Sequence, residues 1–226
     1  MKIGFIKNVS AKVLALIIVI LISGVIFSSL AEDLINKETF TTLDPFFGVW
    51  LLSQTTLNGD HLFSAITALG SAIFISLSTA SLGIWFTIKK DWSKLVFFIS
   101  AVGGSALLNF VLKNIFQRPR PEFPQAFTIE SGFSFPSGHA MISFVFYGAI
   151  TFLIFSSLKT KWNKVLAACI FLLLTTFIGI SRLYIGVHYL TDVVAGWAAG
   201  GLWLSICILR LEFFIPTKRR ESKPHN

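Results

Sequence analysis

The stretch VLALIIVILISGVIFSSLA, residues 13–31, contains no Asp, Glu, Lys or Arg. An apolar run of this length is about the minimum with which an α-helix crosses the hydrocarbon core of a bilayer. The run is also compatible with a secretory signal, because a basic segment precedes it and the small residues SSLA end it. It is longer than the usual core of a signal, so we expect an uncleaved first transmembrane helix.

Five further runs without these charged residues are each long enough to span a bilayer. They occupy residues 61–88, 95–112, 140–158, 165–181 and 193–209. Of the 226 residues, 54% are hydrophobic and 13% are charged, whereas about 25% of the residues in a soluble domain are charged. The mean hydropathy is +0.75. The sequence therefore predicts one all-α domain, residues 1–226, built as an integral membrane bundle of six transmembrane helices.

The basic residues are distributed unevenly between the two ends of these spans. If the amino terminus is cytoplasmic, fourteen of the 19 Lys and Arg residues fall on the cytoplasmic side. This bias predicts that both termini are cytoplasmic, with tails at residues 1–12 and 214–226, in a multi-pass protein of the cell membrane. The net charge of +8 is then a sign of topology and of attraction to anionic lipids, so no nucleic-acid partner is expected.

Several smaller features predict how the apolar segments pack. The segment DPFFGVWLLSQ, residues 44–54, is too short to span and is expected to lie along the interface with Trp50 at headgroup depth. Cys169 and Cys207 lie in apolar tracts and are expected to be core residues without a disulfide. Gly196 and Gly200 suit either a dimer interface or close packing within one bundle, which leaves the oligomeric state open.

Three polar clusters interrupt this apolar pattern. They are KNIFQRPRP at residues 113–121, FPSGHA at residues 135–140 and SRLYIGVHYLTD at residues 181–192. With the amino terminus inside, all three clusters lie at the outer ends of predicted spans. Because ionisable groups near lipid are costly, their placement at one membrane face predicts a convergent functional site outside the cytoplasm.

The histidines and the serine of these clusters suit catalysis. His188 and Asp192 are four residues apart, so on a helix they share a face, and the carboxylate would activate the imidazole as nucleophile or base. A capping His beside a solvated Asp explains this pair equally well.

Ser137 precedes a span at a helix N-cap position, where free amides attract anions, and Gly138 allows close approach of a ligand. A plain capped helix leaves His139 unexplained.

Three cations in the clusters, Lys113, Arg120 and Arg182, suit the oxygens of a phosphoryl group. The alternative for Lys113 is that it extends to the lipid headgroups. Because prolines break the helix here, Arg118 could face the site instead of Arg120. Glu122 and Glu130 are expected to be solvated loop charges (both are in the segment that follows these arginines). No carboxylates or His/Cys pairs stand at ligand spacing in these clusters, so neither a metal nor a cofactor is expected.

Together the three clusters resemble the motifs of the type-2 phosphatidic acid phosphatase superfamily. The first motif, a lysine followed after six residues by Arg-Pro, matches Lys113 and Arg120–Pro121; the second, Pro-Ser-Gly-His, is intact at residues 136–139. The third matches Ser181, Arg182, His188 and Asp192. Within the superfamily the chain resembles bacterial phosphatidylglycerophosphate phosphatases of the B type, in the compact six-helix form.

The resemblance implies a role for each matching residue. His188 would attack phosphorus and form a phosphohistidine while Asp192 holds its ring, and His139 would protonate the leaving oxygen and later deprotonate water. The phosphate oxygens would be held by the remaining matching residues, which are Lys113, Arg120, Ser137, Gly138 and Arg182. From the residues alone, the Asp partner only mildly favours His188 over His139 as nucleophile.

The function expected from these observations is a metal-independent lipid phosphatase. Its substrate would be a phospholipid or polyprenyl phosphate in the bilayer, with phosphatidylglycerophosphate preferred on the family resemblance and undecaprenyl diphosphate or phosphatidate as alternatives. A lipid or anion transporter is the alternative of another class, and broken helices or repeated halves would favour it. A haloperoxidase-like site for vanadate is disfavoured by the predicted spans.

Overall fold

The computed structural model describes residues 11–54, 57–123, 126 and 130–214. Within these residues the chain is helical and contains no strand. The predicted tails therefore lie mostly outside the described residues. The helices are α1 (Ala11–Asn36), α2 (Thr39–Leu52), α3 (Leu57–Ala68), α4 (Ala72–Ile88), α5 (Trp92–Phe116), α6 (Gly138–Phe155), α7 (Lys161–Tyr184) and α8 (Leu190–Phe214).

Six segments of the described chain are long and apolar enough to cross a membrane, which confirms the predicted six-span, all-α architecture. The second span, Gly59–Ile88, differs from the prediction because it consists of two helices, α3 and α4. The break lies at residues 69–71. Inside a bilayer the carbonyls freed by such a break need new partners, and the Tyr147 hydroxyl donates to the Leu69 carbonyl oxygen at 2.9 Å.

The short connections at the end opposite the polar clusters are fixed by capping side chains. Asp91 caps α5 by accepting from the Lys94 amide at 3.4 Å, and Thr160 caps α7 by accepting from the Asn163 amide at 3.1 Å. Each side chain satisfies one of the amides that a helix start leaves without a partner. These connections lie in the segments KKDWSK, residues 89–94, and KTKWNK, residues 159–164.

Helix α8 occupies the centre of the bundle, and α1 packs along α8 at the periphery, with lipid-facing residues such as Leu21 and Val25 more than 60% exposed. Gly196 and Gly200 of α8 bring it close to α6. A Cβ at Gly196 would lie 2.8 Å from the Ser137 carbonyl oxygen, and one at Gly200 would lie 2.9 Å from that of Met141. The sequence left open whether this glycine pair serves a dimer interface or close packing within one bundle, and the structure shows close packing within the bundle.

The apolar core fills the half of the bundle away from the polar clusters, between α4, α5, α6 and α8. Phe98, Ala101, Val145 and Ala149 are fully buried in it. Cys207 is also buried there, but Cys169 is exposed on α7, so its predicted core position is wrong. The apolar tract that contains Cys169 faces outward because lipid, like a core, accepts apolar side chains.

The short helix α2 covers the other end of the bundle. It starts against α1, where Asp33 accepts from the Thr41 amide at 2.7 Å and from the Phe40 amide at 3.1 Å. Trp50 is 58% exposed on α2. With 14 residues, α2 is shorter than a transmembrane helix, so it matches the interfacial segment that the sequence predicts.

Candidate active site

The structure brings the three polar clusters together around the start of α8. The Ser134 amide, directly before the second cluster, donates to the Arg118 carbonyl oxygen at 2.8 Å, which joins this segment to the first cluster. The Ser137 amide donates to the Asp192 carbonyl oxygen at 2.9 Å, which joins the second to the third. Backbone hydrogen bonds therefore fix the relative position of the three segments.

His188 and Asp192 form a hydrogen-bonded pair, but their geometry differs from the predicted one. Nδ1 of His188 lies 3.1 Å from Oδ2 of Asp192. His188 lies before α8 rather than on it, so the two residues do not share a helical face. Instead Asp192, in the first turn of α8, turns back and also accepts from the Tyr189 amide at 3.0 Å. The carboxylate therefore fixes the chain and the imidazole together.

The environment of His188 keeps its imidazole neutral. Burial lowers the pKa of His188 to about 4, and the hydrogen bond and charge of Asp192 offset this effect only in part. With the Nδ1 proton directed to Asp192, Nε2 carries no proton, and its lone pair is the one that can act as a nucleophile or base. In the structure this lone pair accepts from Nη1 of Arg120 at 3.3 Å, and the same Nη1 donates to the Val187 carbonyl oxygen at 3.0 Å.

Two arginines and a glutamate lie beside the imidazole. The Glu130 carboxylate forms an ion pair with Nη1 of Arg120 at 3.0 Å and another with Nη2 of Arg182. Burial raises the pKa of Glu130, but the charges of Arg182, Arg120 and His139 outweigh it and hold the pKa below its ordinary value. Glu130 thus lies in a loop and is 32% exposed, in line with the predicted loop charge, but its carboxylate is paired with two arginines, which the sequence did not predict. Its carboxylate lies where two guanidinium groups can bind an anion.

Both guanidinium groups retain unused donors. Within the described residues, the Nε atoms of Arg120 and Arg182 are buried and have no hydrogen-bond partner. A buried N–H donor without a partner is unfavourable unless a ligand completes its hydrogen bond. The other contacts of Arg182 include Thr67 of α3, whose hydroxyl accepts from Nη1 at 2.8 Å. The two arginines therefore form an incomplete anion site next to His188.

Lys113 and Gly138 lie against each other at the edge of this site. The Lys113 ammonium group donates to the Phe133 carbonyl oxygen and, at 3.3 Å, to that of Ser134. A Cβ at Gly138 would lie 3.0 Å from Oδ1 of Asn109 and 4.0 Å from Cε of Lys113. The absence of a side chain at Gly138 therefore makes room for Asn109 and Lys113. The same absence leaves the Gly138 backbone open to close approach by a ligand.

Ser137 and His139 lie at the start of α6. Ser137 is fully buried and caps the helix, its hydroxyl accepting from the Ala140 amide at 3.5 Å, as the sequence predicts. The His139 ring lies beside the break in the second span, where a Cβ at Gly70 would be 3.3 Å from its Cδ2. The break therefore provides the space that His139 occupies.

The structure also distinguishes the two neighbouring arginines. Arg120 contacts the imidazole of His188, whereas the Arg118 guanidinium contacts Asp192, Thr191 and the ring of Tyr189. Arg118 thus lies behind the His188–Asp192 pair and not at the free Nε2. The prolines alone left the choice between the two arginines open, whereas the spacing of the first motif from Lys113 favoured Arg120.

Three residues of this region were missed by the sequence analysis. Asp44 is a buried carboxylate of α2 that pairs with Arg118, Thr67 binds Arg182, and Glu130 bridges the two site arginines. Asp44 had a weak signal as an acidic residue within an apolar segment. Thr67 and Glu130 had none, because Arg182, which both of them contact, lies 115 and 52 residues away from them in the sequence.

With this geometry established, comparison with known proteins places the chain in a family. A model of the PAP2 superfamily matches residues 94–215, which is more than half of the sequence. The chain belongs to the PAP2 superfamily. This result confirms the family that the three motifs suggested, and makes the protein a multi-pass member of a family of lipid phosphatases.

Two curated relatives and one crystal structure cover most of the chain. It is 35% identical over 152 residues to phosphatidylglycerophosphatase B of Bacillus subtilis, covering 66% of this chain and 73% of that protein. It is 34% identical over 190 residues to undecaprenyl-diphosphatase of Sulfolobus acidocaldarius, covering 83% and 80%. The crystal structure of a transmembrane PAP2-type phosphatidylglycerolphosphate phosphatase from Bacillus subtilis matches with a TM-score of 0.76 and 28% identity, covering 93% and 100%.

Proposed function

We propose that this PAP2-superfamily protein is a metal-independent lipid phosphatase that converts phosphatidylglycerophosphate to phosphatidylglycerol. The observation that carries this proposal is the pair of buried, unpartnered Nε donors on Arg120 and Arg182, with Arg120 in contact with the unprotonated Nε2 of His188. A phosphate monoester supplies oxygens for these donors and a phosphorus atom for the imidazole to attack.

In the first step Nε2 of His188 attacks phosphorus, and the bond from phosphorus to the lipid oxygen breaks. His139 gives a proton to the leaving oxygen, so the lipid departs as an alcohol. Asp192 stabilises the positive charge that develops on the ring of His188. Arg120, Arg182 and Lys113, with the hydroxyl of Ser137 and the amide of Gly138, hold the phosphoryl oxygens as their charge is redistributed.

In the second step a water molecule attacks the phosphorus atom of the phosphohistidine. His139, now neutral, accepts a proton from that water, and the bond from phosphorus to Nε2 breaks. Inorganic phosphate leaves, His188 returns to its neutral form and His139 is again protonated. The two steps therefore regenerate the starting state without a further co-reactant.

The substrate is proposed to be an amphiphile whose tails remain in the bilayer while its phosphate enters the site. The site lies at the ends of α5 to α8, so a headgroup reaches it without leaving the interface. Phosphatidylglycerophosphate is preferred because one relative and one similar structure carry that activity in their names. Undecaprenyl diphosphate is the alternative, on the name of the second relative.

We further propose that the site faces outside the cytoplasm and that both termini are cytoplasmic. The opposite end of the bundle carries the capped turns between the spans and a cavity of about 990 Å³ lined by five lysines: Lys12, Lys89, Lys90, Lys94 and Lys164. Lysines concentrate on the cytoplasmic side of membrane proteins, so this distribution supports the proposed orientation.

A direct test is phosphate release by the purified protein in EDTA. Phosphatidylglycerophosphate, undecaprenyl diphosphate and phosphatidate are compared at equal surface concentration, with the His188→Ala variant as the control for contaminating phosphatases. The proposal predicts the highest kcat/KM for phosphatidylglycerophosphate and no loss of rate in EDTA. A rate that EDTA abolishes would contradict the metal-free mechanism, and a preference for another lipid would contradict the proposed substrate.

A transporter of lipids or anions remains the alternative that one observation favours, namely the broken second span. The break is explained by its contacts with His139 and Tyr147, but it also resembles the discontinuous helices of transporters. A flipping assay with a labelled lipid separates the two. Flipping that persists in the double variant His139→Ala/His188→Ala, together with absent phosphate release by the unmodified protein, would favour transport.

A further inference from the structure

The guanidinium group of Arg118 bridges two buried carboxylates that belong to different helices. Nη1 donates to Oδ1 of Asp192 at 2.7 Å, and Nη2 donates to Oδ2 of Asp44 at 2.8 Å. Arg118 is 6% exposed, and the side chains of Asp44 and Asp192 are 2% and 0% exposed. Such ion pairs are shielded from water, and removing one partner leaves a buried charge without compensation.

Asp44 also binds the first turn of α8 from outside that helix. Its Oδ1 accepts from the Thr191 amide at 3.2 Å, and its Oδ2 accepts from the Thr191 hydroxyl group. The first amides of a helix have no partner within the helix and favour a negative charge. Asp44 therefore caps α8 at the residue next to Asp192, and in this way joins α2 to the catalytic pair.

The ring of Tyr189 completes the surroundings of Arg118. The guanidinium carbon lies 4.0 Å from the centre of this ring, close enough for a cation–π contact. The main chain of Arg118 is also fixed, because its carbonyl oxygen accepts from the Ser134 amide at 2.8 Å. The guanidinium group of Arg118 is thus held by ion pairs at Nη1 and Nη2 and by the Tyr189 ring against its face. Its backbone is held by the hydrogen bond from Ser134.

We propose that Arg118 and Asp44 are positioning residues of the active site, with Arg118 orienting the Asp192 carboxylate toward His188 and Asp44 of α2 holding Arg118. The proposal rests on the proposed function, since it concerns the same reaction. Neither residue contacts the free Nε2 of His188. Their effect on the chemistry passes through Asp192.

The contacts of Asp192 explain why this arrangement matters for rate. One carboxylate oxygen binds Arg118, and the other binds His188 and the Tyr189 amide. Without Arg118 the first oxygen has no partner, and rotation of the carboxylate breaks the bond to Nδ1 of His188. Without Asp44 the Arg118 charge acts on Asp192 alone and reduces the negative charge available to the ring. Both changes weaken stabilisation of the imidazolium-like transition state more than binding of the lipid.

The test compares Asp44→Asn with Asp33→Asn, a matched control. Asp33 is also a buried carboxylate that caps a helix, but its described hydrogen bonds are made to α2 and not to Arg118 or α8. Outer partners that orient a metal-bound histidine contribute about 10- to 100-fold, and we expect this range for the fall in kcat of Asp44→Asn. Its KM should stay within about twofold, while Asp33→Asn lowers thermal stability without changing kcat.

A second pair of variants separates positioning from folding. Arg118→Lys keeps a positive charge and one hydrogen bond, so it should retain more activity than Arg118→Met at equal folded fraction. Equal kcat values for unmodified protein and Asp44→Asn would overturn the proposal, as would a parallel loss of kcat in Asp33→Asn. If the unmodified protein releases no phosphate from any lipid, the proposed function itself has failed, which is a different result from an active protein that tolerates Asp44→Asn.

Discussion

Nδ1 of His188 lies 3.1 Å from Oδ2 of Asp192, and both side chains are almost completely buried. This bond holds the Nδ1 proton on the side of the carboxylate and leaves Nε2 free. The Asp192→Asn variant offers a neutral amide in place of the carboxylate. The same exchange in serine-protease triads lowers kcat about 10⁴-fold, and we expect a loss of at least about 10³-fold here with a nearly unchanged KM.

Steady-state kinetics on detergent-solubilised protein measure this effect. Circular dichroism of the same preparation shows whether the helices are intact. A variant that keeps more than a tenth of the kcat of the unmodified protein would argue against a catalytic role for the pair.

The pH dependence of kcat/KM tests the neutral state of His188. Because burial lowers the pKa of this imidazole from 6.5 to about 4, the nucleophilic form persists below pH 6.5 and is lost only as the pH falls through about 4. The acid limb of the profile should therefore lie near pH 4. The scheme also needs a protonated general acid, so an alkaline limb should follow at higher pH, which makes the profile bell-shaped.

Measurement of kcat/KM from pH 3.5 to 10 in mixed micelles checks both limbs. An acid limb near pH 6.5 would mean that His188 is less shielded than the structure indicates. A profile that is flat between pH 5 and 9 and shows no alkaline limb at higher pH would count against the scheme with two histidines.

Glu130 occupies the anion site formed by Arg120 and Arg182, so an incoming phosphate has to displace its carboxylate. The Glu130→Gln variant keeps the shape of the side chain but removes the charge that competes with phosphate. Inhibition by inorganic phosphate should become about 3- to 10-fold stronger, which corresponds to about 1 kcal/mol.

Glu122→Gln is the matched control, because Glu122 is exposed and its replacement changes the net charge by the same amount. Both variants are compared by the inhibition constant for phosphate at constant ionic strength. An equal change in the two variants would indicate a general effect of charge and not competition at the site.

Gly70 makes the close approach of α3 and α4 to His139 possible. A Cβ at this position would lie 2.5 Å from Cγ2 of Ile178 and 3.3 Å from Cδ2 of His139. Gly70→Val should therefore displace the imidazole and lower kcat about 10-fold or more. Gly103→Val is the control, since a Cβ at Gly103 has no neighbour within 4 Å among the described residues.

The two glycine variants are compared by kcat and by thermal unfolding in the same detergent. Activity of Gly70→Val equal to that of Gly103→Val would show that the position of the break has no influence on His139.

The transmembrane architecture and the three motif segments were predictable from the sequence because each depends on local pattern. Long uncharged runs define spans, and polar residues at the ends of spans stand out against lipid. The break at Gly70 was not predictable, because Gly and Ser also occur inside unbroken transmembrane helices and the hydroxyl that satisfies Leu69 comes from Tyr147 of another span. Its explanation requires the packing of three helices.

The assignment of charged residues to the site was predictable only in part. His188 and Asp192 were paired correctly from their spacing, although the contact arises at a helix start and not on a helical face. The contacts of Arg118, Asp44 and Glu130 could be found only from the fold. Arg118 lies 74 residues from both Asp44 and Asp192 in the sequence, and Glu130 lies 52 residues from Arg182. Spacing in the sequence carries no information about such pairs.

The central claim is that His188 is the nucleophile, and the most direct measurement is the trapping of its phosphorylated form. Protein is mixed with a lipid that carries a radioactive terminal phosphate, quenched rapidly in alkali, digested and sequenced. The account predicts an alkali-stable, acid-labile label on the peptide that contains His188, and no label in His188→Ala. Label on His139 instead, or label that persists in His188→Ala, would contradict it.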